Sequence, residues 1–361
     1  MKLFFRALFL LIGTIIGSGV FALPYVVSKS GLLPFFFGIL FLGLVTMSLN
    51  LFYAEIVLKT SGDHQLPGYV SKYLGGNWMK VSLLFTIVSL SGALLSYVVL
   101  GGEFLALAAG QISHPLHSFW FYLAGVVFFW QGFKKLTKVE SFLTALLLFL
   151  MIVIPFKLLP FVRLENIVLL GSRPLFFWGA ALFSLIGFSV IPEVEEVLRK
   201  KRDFLVPVIV IGSLVPVALY LFFTLVVWGA SGGMVTVDAL SGLVAFSPLL
   251  SRLGAVIGLL ALITSFLSLV NVSKEVYFRD LRLPQQYAKL LAIIPGFFGI
   301  FLSPASFISI ISYTGAISLA ISGTMINLIF LKMNKKFFWL VWPVNAVLIL
   351  GVVFVLASFR R

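Results

Sequence analysis

Two hydrophobic stretches of this chain are each interrupted by glycine, serine and proline, and they lie about half a chain apart. The first interruption covers residues 13–24 (GTIIGSGVFALP), and the second covers residues 183–192 (FSLIGFSVIP). Lipid offers no hydrogen bonds, so a broken helix occurs only where its freed backbone groups are buried in protein or line a cavity. Paired interruptions at corresponding places of two halves therefore predict the binding site of a transporter.

Composition places the chain in a membrane. Hydrophobic residues make up 61% of the 361 residues and charged residues only 11%, too little polar surface to coat a soluble globule of this size. Cysteine is absent, which excludes disulfides, thiolate metal sites and cysteine nucleophiles. We expect a multi-pass protein of the cell's inner or plasma membrane, embedded in the lipid bilayer.

Apolar stretches of about 20 residues, the length that crosses a hydrocarbon core, predict eleven spans. Their approximate bounds are 7–29, 33–58, 78–109, 116–132, 139–160, 173–198, 204–229, 251–279, 286–302, 304–331 and 337–358. Leu66 to Leu74 is too short to cross, and its aromatic residues and lysine predict an interfacial helix. Asp238 to Leu250 is also too short, and we expect it to cover the outer mouth.

The basic residues indicate the orientation of the chain in the membrane. The sequence contains 26 Lys and Arg residues and has a net charge of +14. If the spans alternate in direction, most of these residues fall on the side of the amino terminus, which the positive-inside rule assigns to the cytoplasm. The same distribution explains the net charge without a nucleic-acid partner.

The two interruptions share a faint pattern, Leu-Ile-Gly followed by Val and Pro. The first span would run outward and the sixth inward, so spans 1–5 and 6–10 would have opposite topologies, as in inverted-repeat transporters. The sequence thus predicts a single transmembrane domain over residues 1–361, with repeat one at about 6–160, repeat two at about 173–331 and an extra span at 337–358. We expect a monomer.

The first interruption has backbone chemistry that suits a zwitterion. Gly13, Gly17 and Gly19 permit conformations closed to other residues and allow close approach to a ligand. A half-helix beginning near Val20 would present free amides to a carboxylate. The carbonyls of the preceding half-helix would accept hydrogen bonds from an ammonium or ligate a cation. The alternative is that these small residues only allow helices to pack closely.

Residues 13–31 (GTIIGSGVFALPYVVSKSG) resemble the first span of the amino acid/auxin permease family, within the amino acid/polyamine/organocation superfamily. Later strings agree with this resemblance: Leu66-Pro67-Gly68-Tyr69, Ile191-Pro192-Glu193, Thr264-Ser265-Phe266, Arg279-Asp280 and Gly315. The resemblance implies an all-α membrane protein with the LeuT-like 5+5 inverted repeat and broken helices 1 and 6. The substrate would lie between the two breaks, with walls from spans three, eight and ten.

The resemblance and the two interruptions predict ten substrate-binding residues. These are Thr14, Ile15, Gly17, Ser18, Gly19, Tyr97, Phe183, Ser184, Leu185 and Gly187. Together with Phe188 and Tyr313, the aromatic members suit an apolar or aromatic side chain, although the 39 phenylalanines of the chain make aromatic neighbours common anywhere. We expect secondary active transport of a neutral amino acid, and the sequence leaves open which amino acid it is.

The resemblance also implies a sodium site built from oxygen atoms. Its ligands would be the carbonyls of Gly13 and Ile16 and an Ala-x-x-Thr-Ser pattern, here Ala261, Thr264 and Ser265. Residues three and four apart lie on one helical face, so this pattern could turn all three residues toward one ion. The alternative is that both hydroxyls bond back to carbonyls of their own helix. Sodium-coupled symport by alternating access is the prediction.

Protons are the competing coupling ion, since carboxylates within membrane spans are functional candidates. Glu55 and Glu103 lie toward span ends, and we interpret them as interfacial charges. Glu193 directly follows Pro192 in the sixth span, and it could gate the inner pathway or carry a proton. Proton-coupled amino acid symport is therefore the alternative.

No feature of the sequence indicates an enzyme. His114 and His117 offer two ring nitrogens without a cysteine or nearby carboxylate, and phosphate-binding glycine motifs are missing. We expect no cofactor besides the coupling ion, Na⁺ or H⁺, and no metal beyond sodium. A sensor that binds an amino acid without transporting it ranks lower, since a sensor usually needs a further domain to report occupancy.

Overall fold

The computed structural model describes residues 2–112, 114–131, 136–303 and 306–358, without the side chains of 136–141 and 143. Its α-helices are α1 (Lys2–Ile15), α2 (Gly19–Ser30), α3 (Leu32–Lys59), α4 (Leu66–Leu74), α5 (Gly76–Ala109), α6 (Pro115–Trp130), α7 (Leu136–Leu158), α8 (Trp178–Ser184), α9 (Ile191–Leu198), α10 (Leu205–Ser231), α11 (Pro248–Glu275), α12 (Gln285–Phe298), α13 (Ser306–Met333) and α14 (Phe338–Ser358). The prediction of an all-α membrane protein is confirmed.

The predicted spans match these helices in order. Within the described residues, seven helices are long and apolar enough to cross a membrane, and the bent pair α1–α2 makes an eighth. The predicted fourth, sixth and ninth spans correspond to the shorter helices α6, α8–α9 and α12. Residue 132, at the end of the predicted fourth span, and residues 304 and 305, at the start of the tenth, lie outside the described residues.

Both predicted helix breaks are present. The axes of α1 and α2 differ by 46°, and Ile16, Gly17 and Ser18 between them are not helical. The second break covers Leu185 to Gly187 and continues as a 3₁₀ turn, Phe188–Val190, before α9 begins. Glycine favours such unwinding because it stabilises a helix interior less than alanine does.

The broken helices lie in the centre of the molecule. α1 packs against α10, α2 packs against α10 and α8, and α5 packs against α11 and α13. Val20 and Leu23 in α2 are fully buried, whereas Trp339 in α14 is 85% exposed. The interrupted spans are therefore enclosed by protein, as their freed backbone groups require, while α14 has a face that can contact lipid.

Two short segments flank the membrane spans. The predicted interfacial helix is α4, and its first half, including Leu66, Tyr69 and Val70, is buried against neighbouring helices. The segment from Asp238 does not cross, in agreement with its length, and contains a 3₁₀ turn, Ser241–Ala245. The Asp238 carboxylate accepts hydrogen bonds from the backbone and side chain of Ser241, which stabilises this turn.

Candidate functional site

The first break is held by close contacts that require glycine. A Cβ added at Gly19 would lie 3.0 Å from the Cα of Ser184, at the end of α8. A Cβ added at Gly17 would collide with the hydroxyl of Tyr97 in α5. The two breaks therefore approach each other backbone to backbone at Gly19, and a tyrosine ring reaches the unwound segment at Gly17.

Ser18 lies between these glycines and faces α5. Its hydroxyl is 2.9 Å from the hydroxyl of Ser96, which in turn donates to the Ala93 carbonyl. Ser18 makes no side-chain cap on α2. The first amides of α2 are thus left without a side-chain partner, which is the arrangement expected of a helix N-terminus that receives an anion.

The second break contributes mainly apolar side chains. Gly187 packs closely on the first break, because a Cβ there would lie 2.9 Å from Ile15 Cδ1 and 3.1 Å from Asn50 Nδ2. Leu185 is buried, and the hydroxyl of Ser184 donates back to the Ala180 carbonyl. The side chains of Phe183, Ile186 and Phe188 instead line an internal cavity.

This cavity encloses about 770 Å³ of empty space, part of it continuous with solvent, and it joins the two breaks. Seven of the ten predicted substrate-binding residues line it: Thr14, Ile15, Gly17, Gly19, Tyr97, Phe183 and Ser184. The other three, Ser18, Leu185 and Gly187, are not in its lining and pack against neighbouring helices.

The sequence analysis missed several polar residues of the cavity: Tyr53, Gln65, Thr86, Ser89, Ser189 and Ser322. A signal was available in α5, where Thr86, Leu90, Ala93 and Tyr97 recur every three or four residues and share one helical face. Tyr313, which we expected in the wall, is not in the lining, and α13 contributes Ser322 instead.

Two of the predicted sodium ligands are hydrogen-bonded to each other. The Thr264 hydroxyl donates to the Ala261 carbonyl over 2.8 Å, as the alternative interpretation of this pattern expects. The Ser265 side chain lies near the Tyr97 hydroxyl. α1 and α11 are in contact, and Gly13 lies against the Thr144 hydroxyl of α7. The hydroxyl oxygens keep lone pairs for a cation, so the sodium site stays a prediction.

Glu193 lies next to the cavity residue Gln65, just before α4. Its Oε1 accepts a hydrogen bond of 2.8 Å from Gln65, and its buried Oε2 has no hydrogen-bond partner among the described residues. Gln65 also lines a second, polar cavity, whose empty space of about 980 Å³ includes open solvent. The Gln65–Glu193 pair therefore lies between the apolar cavity and the polar one.

The other intramembrane acids lie away from the breaks. Glu55 pairs with Lys59 at 2.5 Å and accepts a hydrogen bond from Asn334, so it is a charge at a span end. Glu103 lies near the carboxyl end of α5, where it lines a separate cavity with His114 and Ser118. In the described part of the chain, no group of three or more acidic, histidine or cysteine side chains could hold a metal ion.

Comparison with known proteins assigns the chain to a family. The sequence profile of the tryptophan/tyrosine permease family matches residues 1–359, so the chain belongs to that family. The expectation of the amino acid/auxin permease family was wrong at this level. The first-span glycine motif follows from the helix break itself, so it indicates the fold rather than the family.

Solved structures share the fold. MhsT in complex with L-phenylalanine has a TM-score of 0.74 and 18% identity, over 98% of this chain and 97% of that chain. A manganese transporter of Eremococcus coleocola, in complex with an aromatic bis-isothiourea compound, has a TM-score of 0.72 and 15% identity, over 98% and 85% of the two chains. Among curated proteins none matches by sequence. The LeuT-like fold is confirmed.

Proposed function

We propose that this chain, as a member of the tryptophan/tyrosine permease family, transports an aromatic amino acid that binds in the cavity between its two helix breaks. The observation that carries the proposal is that one cavity is lined by backbone of the first break and by aromatic side chains of the second. Such a cavity provides polar backbone groups for the common part of an amino acid and an apolar surface for an aromatic ring.

The polar end of the substrate would bind at the first break. The uncapped amides at the start of α2 and the positive end of its dipole suit a carboxylate. Carbonyls of the unwound residues after α1 suit the ammonium. The apolar end of the substrate would contact Phe183 and Phe188, which line the other side.

The lining residues favour an amino acid over a metal cargo. The cavity is lined by tyrosine, phenylalanine, aliphatic and hydroxyl side chains and one glutamine, and its described lining includes no Asp, Glu, His or Met. Transition metals bind through such ligands. The neighbouring structure of MhsT contains L-phenylalanine, whereas the other neighbour is a manganese transporter. The side chains that line this cavity suit an amino acid such as L-phenylalanine better than they suit a manganese ion.

Coupling to sodium is the second part of the proposal. Thr264 and Ser265 are consecutive residues of α11, and Ser265 lies near the hydroxyl of Tyr97, which also contacts Gly17. A sodium ion at these hydroxyls would therefore act on the cavity through one tyrosine. Coupling to protons is the alternative. It is favoured by the buried carboxyl of Glu193, of which one oxygen has no hydrogen-bond partner among the described residues.

We propose that the α4 side of the molecule, together with the amino terminus, faces the cytoplasm.

Purified protein tests this proposal. Thermal stability is measured with each common amino acid, with and without sodium, because a ligand that binds only the folded state raises the unfolding midpoint. We expect tryptophan, tyrosine or phenylalanine to stabilise most. Failure of all three to stabilise the protein or to accumulate in proteoliposomes would remove the proposal. Binding without accumulation under any imposed gradient would favour the sensor.

A further inference from the structure

Tyr220 of α10 lies where the two broken spans meet. Its hydroxyl oxygen is 2.8 Å from the carbonyl oxygen of Ile15 and 2.9 Å from that of Ser184. Ile15 is the last residue of α1, and Ser184 is the last residue of α8. Tyr220 is fully buried. Two helix C-termini therefore converge on one phenol.

This convergence is electrostatically demanding. The last carbonyls of a helix lack intrahelical partners and together carry about half a negative charge. Two such ends meet here in the protein interior, where unpaired carbonyls are costly. The Ile15 carbonyl also accepts the Gly17 amide at 3.0 Å, whereas the hydroxyl of Tyr220 has a single hydrogen to share between both helices. A donor or a cation is needed between them.

We propose that the Tyr220 hydroxyl takes the place of a bound cation between the two half-helix ends and so sets the spacing of the two breaks. In transporters built from broken helices, unwound carbonyls and half-helix C-termini are the groups that coordinate coupling ions. Here a neutral side chain of the protein occupies that position. Sodium, if it couples transport, then binds only at the predicted site between the first break and α11, and the carrier takes up at most one ion.

Tyr220 acts as a positioning residue. It does not line the cavity, whereas both of its partners, Ile15 and Ser184, do. Ser184 also lies against Gly19, the first residue of α2. A change in the spacing of the two carbonyls therefore moves the backbone proposed to bind the carboxylate. This consequence for substrate binding rests on the proposed function. The proposal that the Tyr220 hydroxyl occupies the position of a cation does not depend on it.

The test removes the hydroxyl and asks whether an ion replaces it. Tyr220→Phe is made in full-length protein that also carries Thr264→Ala and Ser265→Ala, so that the proposed α11 site is absent. The unfolding midpoint is measured without amino acid in sodium, lithium or choline chloride at equal ionic strength. We expect sodium or lithium to raise the midpoint of the Tyr220→Phe protein by about 2 °C or more, with no such rise when Tyr220 is present.

Tyr122→Phe is the matched control. It removes a phenol–carbonyl hydrogen bond of 3.3 Å to Ile293, between α6 and α12, and we expect no gain of ion dependence. With Tyr220→Phe alone, the dissociation constant for tryptophan in choline chloride should rise about tenfold, the loss expected when a buried carbonyl loses its partner.

Two results would overturn the inference. One is a Tyr220→Phe protein that gains no stabilisation by either ion in the α11 double-alanine background. The other is an unaltered carrier that binds two sodium ions per chain, measured with radioactive sodium, and this count decides the question even if Tyr220→Phe does not fold. If the unaltered protein binds no amino acid, the proposed function is wrong. The measurement of the unfolding midpoint stays valid in that case, because it is made without amino acid.

Discussion

The two helix breaks resemble each other in sequence, yet they contribute different parts to the cavity. The first break supplies backbone, and its glycines are needed because Tyr97 reaches Gly17 and the backbone of Ser184 reaches Gly19. The second break supplies side chains, among them Phe183 and Phe188. A similar interruption thus serves a polar function in one half and an apolar function in the other.

The neighbours of each break explain this difference. Gly19 faces the Cα of Ser184 as well as its side chain, and the Cα cannot move aside, whereas Gly187 faces only side-chain atoms of Ile15 and Asn50, which can. The interruption pattern reflects the need to unwind a helix. The role of each unwound segment is decided by what packs against it.

Substitution of the glycines should show the largest effect. Gly19→Leu places a side chain against the Ser184 backbone and blocks the start of α2, so amino acid binding should weaken at least about 100-fold, or ~3 kcal/mol. Gly187→Ala should weaken binding by no more than about tenfold, because the atoms it meets are flexible. Binding is measured by thermal stabilisation.

Gly76→Ala, which meets no atom within 4 Å, is the control for the introduced methyl group. Normal affinity in a well-folded Gly19→Leu protein would remove the first break from the binding site. Equal losses at Gly19 and Gly187 would show that the two breaks are equivalent.

The contribution of the aromatic side chains of the second break is tested by comparing the affinities for an aromatic and an aliphatic amino acid. Phe188→Ala removes a ring from the cavity wall, and aromatic contacts contribute about 0.5–1.5 kcal/mol beyond their buried area. The affinity for tryptophan should therefore fall by about tenfold relative to the affinity for leucine, which serves as the internal control. Parallel losses for both amino acids would place the ring of the substrate elsewhere.

Coupling should depend on the hydroxyls of α11 and not on the carboxyl of Glu193. Thr264→Ala with Ser265→Ala removes two of the five predicted sodium ligands, so substrate binding should lose its sodium dependence. Because linkage is reciprocal, substrate should also stop raising the affinity for sodium. Glu193→Gln should leave both effects in place, as should Ser318→Ala, which removes another buried hydroxyl.

Uptake in proteoliposomes decides between the two ions. If uptake follows an imposed pH gradient without sodium and survives the double alanine change, the carrier is proton-coupled. Glu193 would then be the first candidate for the proton site, and the hydroxyl pair would have a structural role.

The smallest expected effect lies outside both breaks, at His64 in the loop before α4. Burial, and next the positive charge of Lys72, lowers the pKa of His64 from its ordinary 6.5. Asp280, with Oδ1 at 4.0 Å from Nδ1, is too distant for a hydrogen bond that would oppose this shift.

The folded protein therefore binds this proton less tightly than the unfolded chain. Neutral His64 therefore contributes to the stability of the folded protein above pH 6.5. This contribution is lost as the pH falls through 6.5 toward the lowered pKa of His64 in the folded state. Between pH 7.5 and 5.5 the unfolding midpoint of the unaltered protein should drop about 1 °C further than that of His64→Gln. Parallel pH profiles would contradict this assignment.

The predicted substrate-binding residues show which parts of the cavity the sequence pattern could identify. Thr14, Gly17 and Gly19 could be predicted because they belong to the interruption itself, and they line the cavity. Leu185 and Gly187 belong to an equally clear interruption, yet they lie outside the lining. Position within an unwound segment is visible in a sequence, but the direction in which each residue faces depends on the neighbouring helices.

Hydropathy and glycine placement determined the spans, their order and the two breaks, because each depends on a local stretch of chain and its preference for lipid or for unwinding. Tertiary structure alone decided which side chains line the cavity and which ones hold the two breaks in place. Ser96 meets Ser18 across 78 residues, and Tyr220 meets Ile15 across 205 residues. Such contacts depend on how the packed helices are rotated and tilted. The sequence shows that a tyrosine lies within an apolar span, but it does not show which residues that tyrosine will contact.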